Sequence, residues 1–246
     1  MKKILTLSAA LMLCASMAMA QGVGLYLGAD CNPAALQTVT NTCTTNTGTA
    51  FATFITAVIP PSGKPQFVGT ISVIDVQTAL GTIPDWWRVD ACRGTGFSMA
   101  ADNAIASSAT ICTATIWDTA NPAGSNLSGS PSGSRERFLL GTVLLPTDVY
   151  DLIGDGTTEL AIAKWTVSKA KSVTATACAG CLQGACIVLN EVQLQGTGDH
   201  QYGDYAHLTQ PIGTHNFITY NAGAPTCAGS TPTQNRTWGS VKALYR

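Results

Sequence analysis

The chain is short of charge. Asp, Glu, Lys and Arg make up only 11% of its 246 residues, with 13 basic against 14 acidic side chains. That balance excludes the basic face a nucleic-acid or anionic-membrane partner requires. It also leaves the polar surface to Thr, Ser, Asn and Gly. Glu, Lys and Leu are too sparse for long amphipathic helices, whereas β-branched Thr suits a pleated surface. No apolar run reaches the roughly 20 residues needed to span a bilayer as a helix, so no membrane span is expected. No segment repeats, and no βαβ alternation runs through the chain. Also missing are G-x-S-x-G, H-E-x-x-H, a P-loop and a dinucleotide fingerprint. Gly94-Thr-Gly96-Phe-Ser98 lacks the closing Gly of a nucleophile elbow. An enzyme is therefore the less expected class, and a hydrolase would need carboxylates that meet only in space.

What is present begins with Lys2-Lys3, the apolar run Ile4 to Leu13, and Ala18-Met19-Ala20 before Gln21. This is the order of a secretory signal, so residues 1–20 are expected to be a signal peptide and residues 21–246 a single secreted domain, periplasmic or extracellular. Cleavage would remove Cys14 and leave eight of the nine cysteines: Cys31, Cys43, Cys92, Cys112, Cys178, Cys181, Cys186 and Cys227. An even number in an oxidising compartment points to cystines. Sequence proximity favours Cys31 with Cys43 and Cys92 with Cys112, and the other four stay open. Cys178-x-x-Cys181 also has the spacing of a redox pair, but no helix follows it and Cys186 is close by, which favours structural cystines.

The chain reads as nine or ten short strands separated by turn residues, an all-β antiparallel sandwich or jelly roll. Two apolar runs, from Phe51 and from Phe67, flank Pro60-Pro61-Ser-Gly and describe an antiparallel pair. Glu159–Val167 and Cys186–Leu194 read as a second pair, a hairpin pinned by its cysteines. Asp118–Ser134, rich in Asn, Pro, Gly and Ser, reads as a long surface loop. Phe138–Leu145 reads as a central strand, and Asn235–Arg246, with Thr237 as cap and Trp238 on the apolar face, as a short C-terminal helix or turn.

Candidate sites are few. Adjacent strand residues point to opposite faces, so if Pro84–Val89 is a strand, one of Trp86 and Trp87 is exposed; the favoured alternative packs both under loops, as large aromatics usually are. With Trp117, Tyr202 and Tyr205 an exposed one could form a stacking platform for a glycan. His200, His207 and His215, the only histidines, share a Gly- and Asp-rich segment with Asp199 and Asp204. They are candidate ligands for a divalent metal that would order it. Asp151, Asp155 and Glu159 are a second set, although an EF-hand register would place Ile153 and Ile162 where oxygen ligands belong. No cofactor is otherwise implied.

Pro84-Asp85-Trp86-Trp87, Cys178-Ala-Gly-Cys181 with Cys186-Ile-Val-Leu-Asn190, and the closing Thr237-Trp-Gly-Ser-Val-Lys-Ala-Leu-Tyr-Arg246 resemble a family of uncharacterised secreted bacterial proteins without assigned activity. The resemblance implies a shared secreted fold and transfers no site. The expected role is that of an extracellular structural or interaction protein meeting a glycan or protein surface. The alternatives are a carbohydrate-binding module using exposed Trp or Tyr, and a hydrolase with an unrecognised carboxylate site.

Overall fold

Stretches of β-branched, aromatic and small residues fold into strands, and the computed structural model describes residues 22–28, 37–102, 104–107 and 114–221. Four strands form one sheet in the order β1-β3-β9-β5: β1 (Gly22–Leu27), β3 (Thr49–Val58), β9 (Glu159–Ser168) and β5 (Phe97–Ala100). The larger sheet runs β2 (Thr38–Val39), β12 (Phe217–Tyr220), β10 (Ala185–Gly196), β4 (Lys64–Thr78), β7 (Arg135–Val143) and β6 (Gly124–Ser132). Two short strands join it at the side, β11 (Ala206–Leu208) on β10 and β8 (Tyr150–Leu152) on β4. Strand pairing is antiparallel except between β12 and β2. Ile55 and Trp165 of the small sheet and Ile74, Phe138 and Leu189 of the large one belong to one buried cluster. The protein is an antiparallel β-sandwich. Its one α-helical turn among the described residues is α1 (Ala104–Ser107), and no described helix is long and apolar enough to cross a membrane.

The strand pairings differ from those expected. Glu159–Val167 and Cys186–Leu194 are not a hairpin: β9 lies between β3 and β5 in the small sheet, and β10 between β12 and β4 in the large one. β3 and β4 likewise belong to different sheets, so Pro60-Pro61-Ser-Gly carries the chain across the sandwich. Each of these apolar strands finds its partners among distant segments, because both sheets must close over one core. Within Asp118–Ser134, residues 124–132 form edge strand β6 instead of loop, joined to β7 by a two-residue turn whose Gly133 has φ 58°. An edge strand with mostly exposed side chains needs only its backbone to pair, so its composition hides it. Strands of two or three residues (β2, β8, β11) raise the count to twelve among the described residues; they are too short for alternation to register.

The cystines correct the local pairing. Cys43 is bonded to Cys181 and Cys92 to Cys178, across sequence separations of 138 and 86; Cys186 is also disulfide-bonded. The two halves of the C-x-x-C thus tie one loop to two others, at the end of the sandwich where β2 and β12 lie side by side. Cys31, Cys112, Cys227, the signal-like segment and the C-terminal Asn235–Arg246 lie outside the described residues.

Candidate functional site

The tryptophans come first, and they are not a platform. Pro84, with its fixed φ of −67°, starts a 3-10 turn over Asp85–Trp87. The turn rotates both rings inward, where a strand would have split them. Trp86, Trp87 and Trp117 are all 0% exposed. Trp86 stacks on Tyr220 at 5.4 Å and meets Trp87 edge-on at 4.7 Å. Trp117 donates its indole N–H to the Ile162 carbonyl at 2.7 Å.

Arg93 lies buried beneath this cap, its guanidinium carbon 3.8 Å from the Trp86 ring centroid. It donates to the carbonyl oxygens of Trp86 (2.9 Å), Gly96 (3.4 Å) and Ser168. Burial pulls its pKa down to about 10, so it stays charged at neutral pH. Carbonyl dipoles and a ring face hold that charge; among the described residues no carboxylate pairs with it.

Glu136 is the opposite case. It sits on the core phase of β7, fully buried. One oxygen accepts from the Val89 amide at 3.5 Å, and the other has no partner among the described residues. Its carboxyl reaches over Gly129, where a Cβ would stand 2.2 Å from Oε1. Burial pushes its pKa up to about 7, with Asp90 adding to the rise and Arg88 and the Val89 amide opposing it. A carboxyl raised in the folded state favours folding most below its unfolded value near 4.5. That advantage is lost as pH climbs through about 7. Glu136→Gln is therefore expected to stabilise the protein at pH 8 by on the order of 2 kcal/mol and to leave it unchanged at pH 4, in paired urea unfolding curves. An equal effect at both pH values contradicts this.

The histidines and acidic candidates are dispersed. His207 sits between the Glu191 carboxylate and the Tyr202 carbonyl oxygen (2.8 Å). His215 stacks on Tyr26 at 5.3 Å, and the His200 amide donates to Asp204 at 3.1 Å. Asp151 accepts from the Gln66 amide at 2.8 Å. Glu159 accepts from the Tyr26 and Thr56 hydroxyls. Bonds from the Thr158 hydroxyl and the Thr158 and Thr157 amides hold Asp155 well below the usual carboxylate range. Among the described residues no group of three or more His, Cys, Asp or Glu could hold a metal ion. The His-bearing segment is ordered in another way: Lys64 Nζ pairs with Asp199 at 2.7 Å and donates to the Asp204 carbonyl at 3.0 Å, while β11 pairs with β10.

What the topology does assemble is the outer face of the large sheet. The registers of β10, β4, β7 and β6 place residues in rows. One row is Val188, Asp75, Arg137 and Ser130. The next is Glu191, Val73, Leu139 and Ser128, then Gln193, Ile71, Gly141 and Asn126, and finally Gln195, Gly69, Val143 and Gly124. The first row is charged, with Arg137 forked onto Asp75 by two 2.8 Å bonds. Beyond it the only charge in these rows is Glu191 on the β10 side, and toward Leu139 and Val143 the face turns apolar. Leu139 and Val143 are 39% and 52% exposed, on either side of Gly141. Gly141 and Gly124 leave a gap between the side chains at this end, since a Cβ at either would meet nothing closer than 3.9 Å. The result is a groove of about 370 Å³ lined by Thr70, Ile71, Asn126, Gly141, Val143 and Gln195, a size in the usual range for ligand pockets. Tyr202, the most exposed aromatic among the described residues at 61%, stands over the β10 side with its hydroxyl 3.1–3.2 Å from both oxygens of Glu191. Tyr205 packs beside it at 6.0 Å.

Of the expected stacking residues, then, the tyrosines lie at this face and the tryptophans do not. Leu139, Gly141, Val143, Asn126 and Gln195 were not apparent from composition. The available signal was β7 itself, apolar in both phases: Phe138 and Leu140 fill the core, leaving Leu139 and Val143 for the other side. No family model matches the chain, and no curated protein or solved structure is significantly similar to it.

Proposed function

We propose that the chain is a secreted, non-catalytic interaction protein that engages an extracellular surface through the outer face of its large sheet. The observation that carries this reading is the pairing of Leu139 and Val143. The other exposed large aliphatic side chains among the described residues, Leu80, Leu145, Ile153 and Leu182, lie outside the strands, and only Leu145 is near the face, two residues past Val143; scattered exposure of that kind is ordinary. Leu139 and Val143 share one strand and one face, bordered by polar side chains that make few internal bonds, which is the pattern of a contact surface. The signal-like leader and the cystines support a place outside the cytoplasm. The experiment is fractionation of the native producer. Leu139→Glu with Val143→Glu is expected to move the protein from the envelope or matrix fraction to the free medium, with its unfolding midpoint nearly unchanged because both side chains are exposed. Retention equal to wild type would contradict the reading.

A further inference from the structure

Resting on that reading, we propose that the groove over Gly141 binds a neutral oligosaccharide. Its lining, Thr70, Ile71, Asn126, Thr142, Val143 and Gln195 with Gly124, Ser125 and Gly141, carries no ionisable side chain. A charged ligand would be stripped of water there without a countercharge. The Asn126 and Gln195 carboxamides are uncommitted: among the described residues neither side chain makes a hydrogen bond. A carboxamide offers two donors and an acceptor, and sugar hydroxyls both donate and accept, so the two groups suit each other. Ile71 and Val143 provide apolar ground for the C–H face of a pyranose ring.

A peptide fits less well. Extended peptides gain affinity by pairing with an open strand edge; β4 and β7 at the groove's floor are each paired on both sides, and the free edge of β6 presents its backbone groups in the plane of the sheet and not over its face. The groove lies on the face of the ladder, where only side chains can reach a ligand. From β10 to β6 it crosses three strand spacings of about 4.8 Å, roughly 14 Å in all, the reach of a short oligosaccharide more than of one sugar. At the β10 end Tyr202 offers a ring steadied by its bonds to Glu191 and its contact with His207 at 4.4 Å. Glu191 lies two rows along β10 from Gln195, so a ligand that extends past the groove in that direction would meet this ring.

The groove exists because residue 141 has no side chain, and that gives the test. A Cβ on Gly141 would meet nothing closer than 3.9 Å, so Gly141→Leu is expected to fold while filling the groove. The full chain is titrated, with amide NMR detection, with soluble β-linked glucan, α-linked glucan, xylan and chitin oligosaccharides, and with oligogalacturonate as the charged comparison. At least one neutral oligosaccharide is expected to bind at millimolar or lower concentration and to shift amides in 124–127, 139–143 and 193–195. Gly141→Leu, and Asn126→Ala with Gln195→Ala, are each expected to weaken binding about tenfold or more with the unfolding midpoint retained. The proposal is overturned if no neutral oligosaccharide shifts those amides, if oligogalacturonate binds best, or if Gly141→Leu binds normally. In any of these cases, envelope retention that still falls with Leu139→Glu and Val143→Glu keeps the face as a protein-docking surface; if retention is also unchanged, both readings fail.

Discussion

Trp86→Ala is expected to cost about 4 kcal/mol of folding stability, the upper range for deleting a large buried aromatic. The ring is 0% exposed and has three jobs at once. It stacks on Tyr220, fills the corner against Trp87, and lies under the Arg93 guanidinium at 3.8 Å. Alanine would leave a cavity and also remove the ring face that helps hold a buried charge. For a domain of this size the loss corresponds to a fall in the unfolding midpoint on the order of 10 °C, read by calorimetry. Trp87→Ala should behave alike, since its ring is equally buried and 4.9 Å from Tyr220. Trp86→Phe should recover much of the loss. A Trp86→Ala protein as stable as wild type would mean that the cap is not packed as described.

Removing the cystines should cost as much. Cys43–Cys181 closes a sequence separation of 138 and Cys92–Cys178 one of 86. Loop-closure entropy gives about 4–5 kcal/mol for loops near these lengths. Because the dependence is logarithmic, the two should differ by only a few tenths of a kcal/mol. Cys43→Ala with Cys181→Ala, and separately Cys92→Ala with Cys178→Ala, are expected to lower the urea midpoint by similar amounts. Peptide mapping without reduction gives the connectivity directly. Peptides joining Cys43 to Cys181 and Cys92 to Cys178 are expected, and peptides joining Cys92 to Cys112 would contradict the fold at the cap.

The all-β class was legible because Thr49–Val58, Lys64–Thr78, Glu159–Ser168 and Ala185–Gly196 carry their periodicity in side chains. Topology was not, because Pro60-Pro61-Ser-Gly has the same composition whether it closes a hairpin or carries the chain to the opposite sheet. A strand over Pro84–Val89 would have exposed one of Trp86 and Trp87; both are buried instead, because strand alternation does not hold in the 3-10 turn that Pro84 begins. Nearness in sequence suggested local cystines, while nearness in space is set by the end of the sandwich, where the loops carrying Cys43, Cys92 and Cys178–Cys181 meet. The tyrosines at the outer face were named in advance, but the groove itself is made by register. Gly124 and Gly141 come from different strands and are brought together only once β6 and β7 pair. The carboxylate candidates failed for a related reason. Asp151, Asp155 and Glu159 are close in sequence, yet each serves a different backbone or hydroxyl partner.

The contact role of the large sheet's outer face is tested most directly by hydroxyl-radical footprinting of the protein in its native surroundings against the purified chain. Leu139, Val143 and Tyr202 are expected to be protected in place, while Leu80, Ile153 and Leu182, exposed elsewhere on the same molecule, remain as reactive as in the free protein. Protection that falls on the second set and spares the first would contradict it.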